Sequence, residues 1–258
     1  MSTARGPSRR PSRKADEARL IARVAPERRR AFSRALRAWF ARARRDLPWR
    51  HTRDPYRVLV SELMLQQTQV DRVIGFYERF LVRFPTLEAV AEAPQAHVLE
   101  AWAGLGYYAR ARNLRSLAVQ VVAEGSPARL PEEPAELRTL PGIGPYTAGA
   151  VASFAFERRA PLIDTNVERV LRRAFAPRLT PKAPRTHRLL WALAGELLPR
   201  TGSATWTHNQ ALMELGALVC TARVAHCEGC PVRSHCATGR KNAPAAKVKI
   251  ATRRPRQT

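Results

Sequence analysis

Cys220, Cys227, Cys230 and Cys236 are the only cysteines in the chain, and they lie in one short stretch with the pattern C-x6-C-x2-C-x5-C. Four thiols this close can surround one tetrahedral site, and zinc and an iron–sulfur cluster both accept four thiolates. Zinc sites more often use two C-x2-C knuckles. Here Cys227 and Cys230 form one, with Cys220 and Cys236 closing it from either side, which favours iron–sulfur without excluding zinc. A disulfide scaffold would scatter its cysteines and need a secretory leader. A second constellation is Leu140-Pro141-Gly142-Ile143-Gly144-Pro145, with a short helix before it and the small, apolar run TAGAVASFAF after it. Glycine fits where φ is positive or where another backbone comes close. The N–H groups of such a hairpin, with the helix N-terminus that follows, make an anion site. Asp164 precedes a third helical pattern, where a cap alone would contribute about 1 kcal/mol.

These groups need elements to hold them. Residues 27–45 read as an amphipathic helix, with Phe32, Leu36, Trp39 and Phe40 on its apolar face. Residues 56–81 continue in helical period, broken at Met64-Leu65-Gln66-Gln67-Thr68-Gln69 by a loop. Shorter helices are expected over 86–93, 95–103 and 109–123, and another after Asn166. No stretch alternates with period two. The expected fold class is all-α, built of many short helices.

Hydrophobic residues make up 45 % of the 258-residue chain, enough for a packed core. Lys plus Arg number 45 against 21 Asp plus Glu, a net charge of +24 that fits a polyanionic partner. No apolar run approaches the roughly 20 residues that span a bilayer. No secretory signal is evident at the N-terminus, so an intracellular protein with no membrane partner is expected, cytoplasmic and nucleoid-associated if bacterial. Residues 1–26 and 239–258 are rich in Arg, Lys, Pro, Ser and Ala, and both are expected to be disordered basic tails.

The hairpin, Asp164 beyond it and the cysteine pattern occur in one order, and together they resemble the endonuclease III superfamily of base-excision DNA glycosylases. The match spans roughly residues 27–238. Leu47-Pro48-Trp49-Arg50, Ser61-Glu62-Leu63-Met64-Leu65-Gln66-Gln67-Thr68-Gln69-Val70, Gly104-Leu105-Gly106-Tyr107-Tyr108 and Asn209-Gln210-Ala211-Leu212-Met213-Glu214-Leu215-Gly216-Ala217 are similar to the MutY-type, A/G-specific adenine branch. The resemblance implies a two-lobed helix-hairpin-helix fold. Residues 55–161 would form a six-helix lobe, and residues 27–54 with 162–238 a lobe carrying a [4Fe–4S] cluster on the four cysteines. The active site would lie between them.

Cleaving an N-glycosidic bond requires a proton for the departing base and an anion for the cationic sugar, work that two carboxylates can divide. By resemblance Glu62 is the general acid that protonates adenine at N7, and Asp164 stabilises the sugar. Lyase-type relatives carry a nucleophilic lysine after the hairpin; here Tyr146 stands in that place. A phenol is a poor Schiff-base former, so a monofunctional hydrolase is expected, with Tyr146 positioning Asp164 or the sugar. Asn166 would orient Asp164 and the attacking water, and Thr165 replaces a glycine common in relatives. Trp49, Arg50, Glu62 and Gln210 would form the adenine pocket. Gln67 and Tyr107 would wedge into the vacated duplex, and Gly142, Ile143 and Gly144 would clamp a phosphate. The expected partner is double-stranded DNA with adenine mispaired with 8-oxoguanine or guanine, bound by a monomer. The alternatives are a same-fold glycosylase for thymine opposite guanine or an oxidised pyrimidine, and a non-catalytic DNA-binding module. The family's usual β-rich, 8-oxoguanine-reading domain would follow Cys236. The sequence ends at Thr258, so that domain is expected to be absent and the preference for 8-oxoguanine modest.

Overall fold

The computed structural model describes residues 12–125 and 127–241. They form thirteen α-helices: α1 (Arg13–Ala22), α2 (Pro26–Ala43), α3 (Pro55–Leu65), α4 (Val70–Arg83), α5 (Leu87–Glu92), α6 (Gln95–Ala101), α7 (Ala109–Glu124), α8 (Pro134–Leu137), α9 (Pro145–Phe154), α10 (Thr165–Phe175), α11 (Pro184–Leu197), α12 (Gly202–Leu218) and α13 (Ala237–Lys241). Among the described residues there is no strand, only an isolated bridge between Cys220 and Ala225. None of these helices is long and apolar enough to cross a membrane.

Local chemistry sets the boundaries. The Asp54 carboxylate accepts the Arg57 N–H at 3.0 Å and Pro55 opens α3, so that helix starts where its first N–H groups are satisfied. Thr86 and Thr201 cap α5 and α12 in the same way. The polar interruption at residues 66–69 is the turn between α3 and α4, as the pattern predicts. Helices α3 to α9 pack on one another, and α1, α2 and α10 to α13 form a second group. The first lobe therefore holds seven helices, not the expected six, because the four-residue α8 is a separate turn before the hairpin. One continuous apolar core runs through both groups. They meet where α9 packs on α12. There the buried Asn209 amide donates to Ser153 Oγ at 3.0 Å and to the Ala160 carbonyl at 2.9 Å.

The N-terminal tail needs correction. Residues 13–22 are helical, not disordered. Ser12 caps α1, and Asp16 accepts from Arg185 while Glu17 pairs with Arg188 on α11. The two acids in an otherwise basic segment find arginines across the interface, and Leu20 packs against the core. At the other end α13 carries order to Lys241, with the Gly239 N–H on Cys236 Sγ. The remaining tail residues, 1–11 and 242–258, lie outside the described ones.

Candidate active site and cysteine loop

A cleft of about 750 Å3 opens between the two lobes. Its lining brings together Trp49, Arg50, Glu62, Gln67, Gly142, Gly144, Tyr146, Asp164, Asn166 and Gln210. Two of the expected residues are not on its wall. Tyr107 stands on the α6–α7 turn, exposed. Ile143 is buried, and its N–H already serves the Leu140 carbonyl at 3.2 Å. Its part in the hairpin is therefore that of an apolar anchor.

Glu62 lies in the last turn of α3 and is only 3 % exposed. Burial pushes its carboxyl up to about 7. Tyr146, from the first turn of α9, donates its O–H to Glu62 Oε2 at 2.8 Å and opposes that rise; the nearby Asp164 charge adds to it. Of the two partners expected for the phenol, Asp164 or the sugar, the first is corrected: the phenol holds Glu62. The reason is placement, because α3 and α9 are packed neighbours while Asp164 is anchored at its own helix start. The Tyr146 phenol is itself raised well above its ordinary range by burial and by the two carboxylates, so it stays a donor.

Asp164 does cap α10: Oδ1 accepts the Val167 N–H at 2.7 Å, and Oδ2 accepts the Asn166 amide at 2.9 Å. Capping and chemistry are compatible, since both N–H bonds favour the anion. Burial still raises its carboxyl, with these bonds and Arg169 opposing. Asn166 is held from behind. Its Oδ1 accepts from Arg169 at 2.6 Å, and the same guanidinium donates to the Cys220 carbonyl at 2.7 Å. Gly216 of α12 lies against Asn166, where a Cβ would come within 2.6 Å of the Asn166 Cβ. That glycine lets α12 approach α10.

Also on the cleft lining, the Arg50 guanidinium donates to Gln210 Oε1 at 3.0 Å and Glu214 Oε2 at 3.0 Å. Glu214 is 1 % exposed and also accepts from Arg45 at 2.8 Å. Burial works to raise its carboxyl, but the hydrogen bonds from Arg45 and Arg50 outweigh it and leave Glu214 at about 2. Sequence reasoning missed Glu214. The available signal was a lone acid one turn past Gln210 in the run Ala211-Leu212-Met213, on a helix too apolar there to face water. Met213 was missed too; its sulfur lies 3.8 Å from the Tyr146 oxygen.

At the hairpin, Gly142 has φ +77, and a Cβ there would meet Asn113 at 2.6 Å. Gly144 has extended backbone and open surroundings, so only the first glycine is needed sterically. The first N–H groups of α9, beyond Pro145, have no intrahelical acceptor, and Gly144, Pro145, Tyr146 and Thr147 all line the cleft.

The four cysteines line one cavity, with Val170, Leu215 and Val232 as its apolar walls. The Arg173 guanidinium lies 3.3 Å from Cys220 Sγ, and the Gly239 N–H lies 3.3 Å from Cys236 Sγ. Such donors suit thiolate sulfur carrying negative charge. Among the described residues, no three His, Cys, Asp or Glu side chains meet in a geometry for a single metal ion.

Residues 60–196 match the family model of the HhH-GPD superfamily base excision DNA repair proteins. The chain is 44 % identical over 216 residues to an adenine DNA glycosylase of Rattus norvegicus, covering 80 % of this chain and 41 % of that one. It is 45 % identical over 214 residues to an adenine DNA glycosylase of Mycolicibacterium smegmatis, covering 83 % of this chain and 71 % of the relative. A solved thermostable thymine-DNA glycosylase superposes with a TM-score of 0.75 at 32 % identity, over 83 % of this chain and 98 % of that one. The chain thus spans about two fifths of the rat relative's length.

Proposed function

This chain belongs to the HhH-GPD superfamily of base excision DNA repair proteins, and on that premise we propose that it hydrolyses the N-glycosidic bond of mispaired adenine in DNA, without strand cleavage. The observation that carries this reading is Glu62, a buried acid at about 7 in one cleft with a carboxylate held by N–H donors. A carboxyl in that range is partly protonated at neutral pH and can donate to a base nitrogen. Adenine then leaves as a neutral molecule, its N7 taking the Glu62 proton. Asp164, facing the same cleft, stabilises the oxocarbenium-like sugar, and Asn166 holds it in register for an attacking water. Tyr146 fixes the orientation of Glu62. No lysine stands at position 146, so the amine attack that precedes strand nicking has no nucleophile there.

Arg50, Gln210 and Trp49 would form the wall against the extruded base, and Glu214 fixes the Arg50 fork that faces it. The turn at Gly142 and Gly144, with the start of α9, offers N–H donors to a backbone phosphate. The basic surface supplies affinity for any duplex through counterion release. Cys220, Cys227, Cys230 and Cys236 would hold a [4Fe–4S] cluster: all four line one apolar-walled cavity, and donors from Arg173 and Gly239 reach two of the sulfurs. When bound, it supplies a rigid staple for the loop between α12 and α13. The protein would act as a monomer on double-stranded DNA inside the cell.

A second reading is removal of thymine opposite guanine, favoured by the likeness to the thymine-DNA glycosylase structure. The buried acid supports adenine, because a purine N7 accepts a proton readily. Glu62→Gln and Asp164→Asn test the assignment. Both should lower single-turnover adenine release by at least about 100-fold, the usual size of a positioned acid's contribution. Duplex binding should persist in both. Near-normal rates in either variant would overturn the two carboxylate roles.

A further inference from the structure

Gln67, on the cleft wall, and Tyr107, on the α6–α7 turn, are two of the four described non-glycine residues with left-handed backbone, φ +57 and +49. Both side chains are exposed, Tyr107 by 59 %. Left-handed backbone at a bulky residue persists only where the surroundings fix it, and it clusters at functional positions. What fixes both turns here is one side chain. Arg110, in the first turn of α7, is 7 % exposed and has no carboxylate partner among the described residues. Its Nη1 donates to the carbonyls of Leu63 at 2.8 Å, Met64 at 2.8 Å and Gln66 at 2.6 Å. Its Nη2 donates to Thr68 Oγ1 at 3.3 Å, the Leu105 carbonyl at 3.3 Å and the Gly106 carbonyl at 3.0 Å. Nε reaches the Tyr107 carbonyl at 3.4 Å. The guanidinium also caps the negative C-terminal end of α3, and the Trp102 and Tyr107 rings lie 5.5 Å from it.

We propose that Arg110 is a positioning residue that locks Gln67 and Tyr107 into one preformed double wedge for opening the duplex. The inference rests on the proposed glycosylase function. Both neighbours of Gln67, and the residue before Tyr107, accept from the same planar fork, so neither turn can shift without breaking bonds that also hold the other. A lysine keeps the charge but has a compact ammonium that cannot span the two turns. Arg110 touches neither Glu62 nor Asp164, so its loss acts on base extrusion and spares bond cleavage.

The test compares single-turnover adenine release from an A·G duplex with release when the same adenine faces an abasic analogue, where less stacking and no pairing must be broken. Arg110→Lys should lose about tenfold or more on A·G and under about threefold opposite the abasic analogue, tenfold corresponding to about 1.4 kcal/mol. Tyr107→Ala and Gln67→Ala should show the same selective loss. Adding Tyr107→Ala to Arg110→Lys should cost less than the product of the single losses. Equal losses of Arg110→Lys on both substrates, no loss, or fully multiplicative behaviour would overturn the proposal. If Arg110→Lys does not accumulate as folded protein, Thr68→Val removes one anchor and should give the selective pattern at several-fold size; an unselective or null result overturns it equally. A wild-type A·G rate in both alanine variants would sink the wedge role itself. Selective loss there with an unaffected Arg110→Lys would sink only the part assigned to Arg110. Failure of the wild-type protein to release adenine from either substrate would instead overturn the proposed function.

Discussion

Replacing Tyr146 with phenylalanine should move the alkaline limb of the pH–rate profile upward. The Tyr146 O–H lies 2.8 Å from Glu62 Oε2 and favours the ionised carboxylate, so it pulls against the burial that lifts Glu62 to about 7. A hydrogen bond onto a charged acceptor is worth about 1.5–3 kcal/mol, and one pKa unit corresponds to about 1.4 kcal/mol. Its removal should therefore raise Glu62 by about one to two units, to between about 8 and 9. The sign follows from the role. Glu62 must be protonated to act, so activity falls as pH rises through its pKa, and a higher pKa carries that fall to higher pH. The assay is single-turnover adenine release at saturating enzyme from about pH 5.5 to 9.5. A lost contact that merely loosened the cleft would lower the rate at every pH and leave the limb in place. An unmoved limb in Tyr146→Phe, or one displaced downward, would refute the assignment of Glu62 as acid and Tyr146 as its holder.

Gly216→Ala should destabilise the protein by about 1–3 kcal/mol, since the new Cβ would lie 2.6 Å from Asn166 Cβ. Calorimetry would show a lower Tm, and an unchanged Tm would mean that α10 and α12 are less tightly apposed. Glu214→Gln should cost most at neutral pH. The folded carboxylate sits at about 2 against an ordinary 4.5, so its contribution is complete above about pH 4.5 and lost as pH falls toward 2. Denaturant titrations should find the gap between wild type and variant closing over that window, and a constant gap would contradict it. Cys227→Ser should lower the iron content and the visible absorption of the purified protein. Stoichiometric zinc in colourless wild-type protein would overturn the cluster assignment.

Helices α2 to α10 were legible because their apolar period and punctuation agree, whereas α11 and α12 were not read. Asp54-Pro55, Thr86 and Pro145 each mark a start by their own local chemistry, and the structure uses them so. The N-terminal arm was misread because composition averages over a segment. Asp16 and Glu17 look incidental in a basic run until α11 presents Arg185 and Arg188. Within the cleft, Glu62 and Asp164 carry no local sign of their proximity; only the packing of α9 on α3, and of α12 on both α9 and α10, brings them to one space. Tyr146 was assigned to Asp164 or the sugar for the same reason, since only the helix placement sets Glu62 within reach of the phenol. Glu214 and Arg110 were illegible in another way. Each looks like a surface charge in sequence, and each is buried with partners from distant segments, two arginines in one case and four acceptors on residues 63–68 in the other.

The central claim is that this cleft releases mispaired adenine and leaves the strand intact. The direct measurement is single-turnover incubation of the protein with duplexes carrying A·8-oxoguanine, A·G, T·G or thymine glycol, with free base and strand scission scored separately. The account predicts adenine from the first two duplexes, no base from the others, and no nick before alkali. Thymine released from T·G, or nicking without alkali, would contradict it.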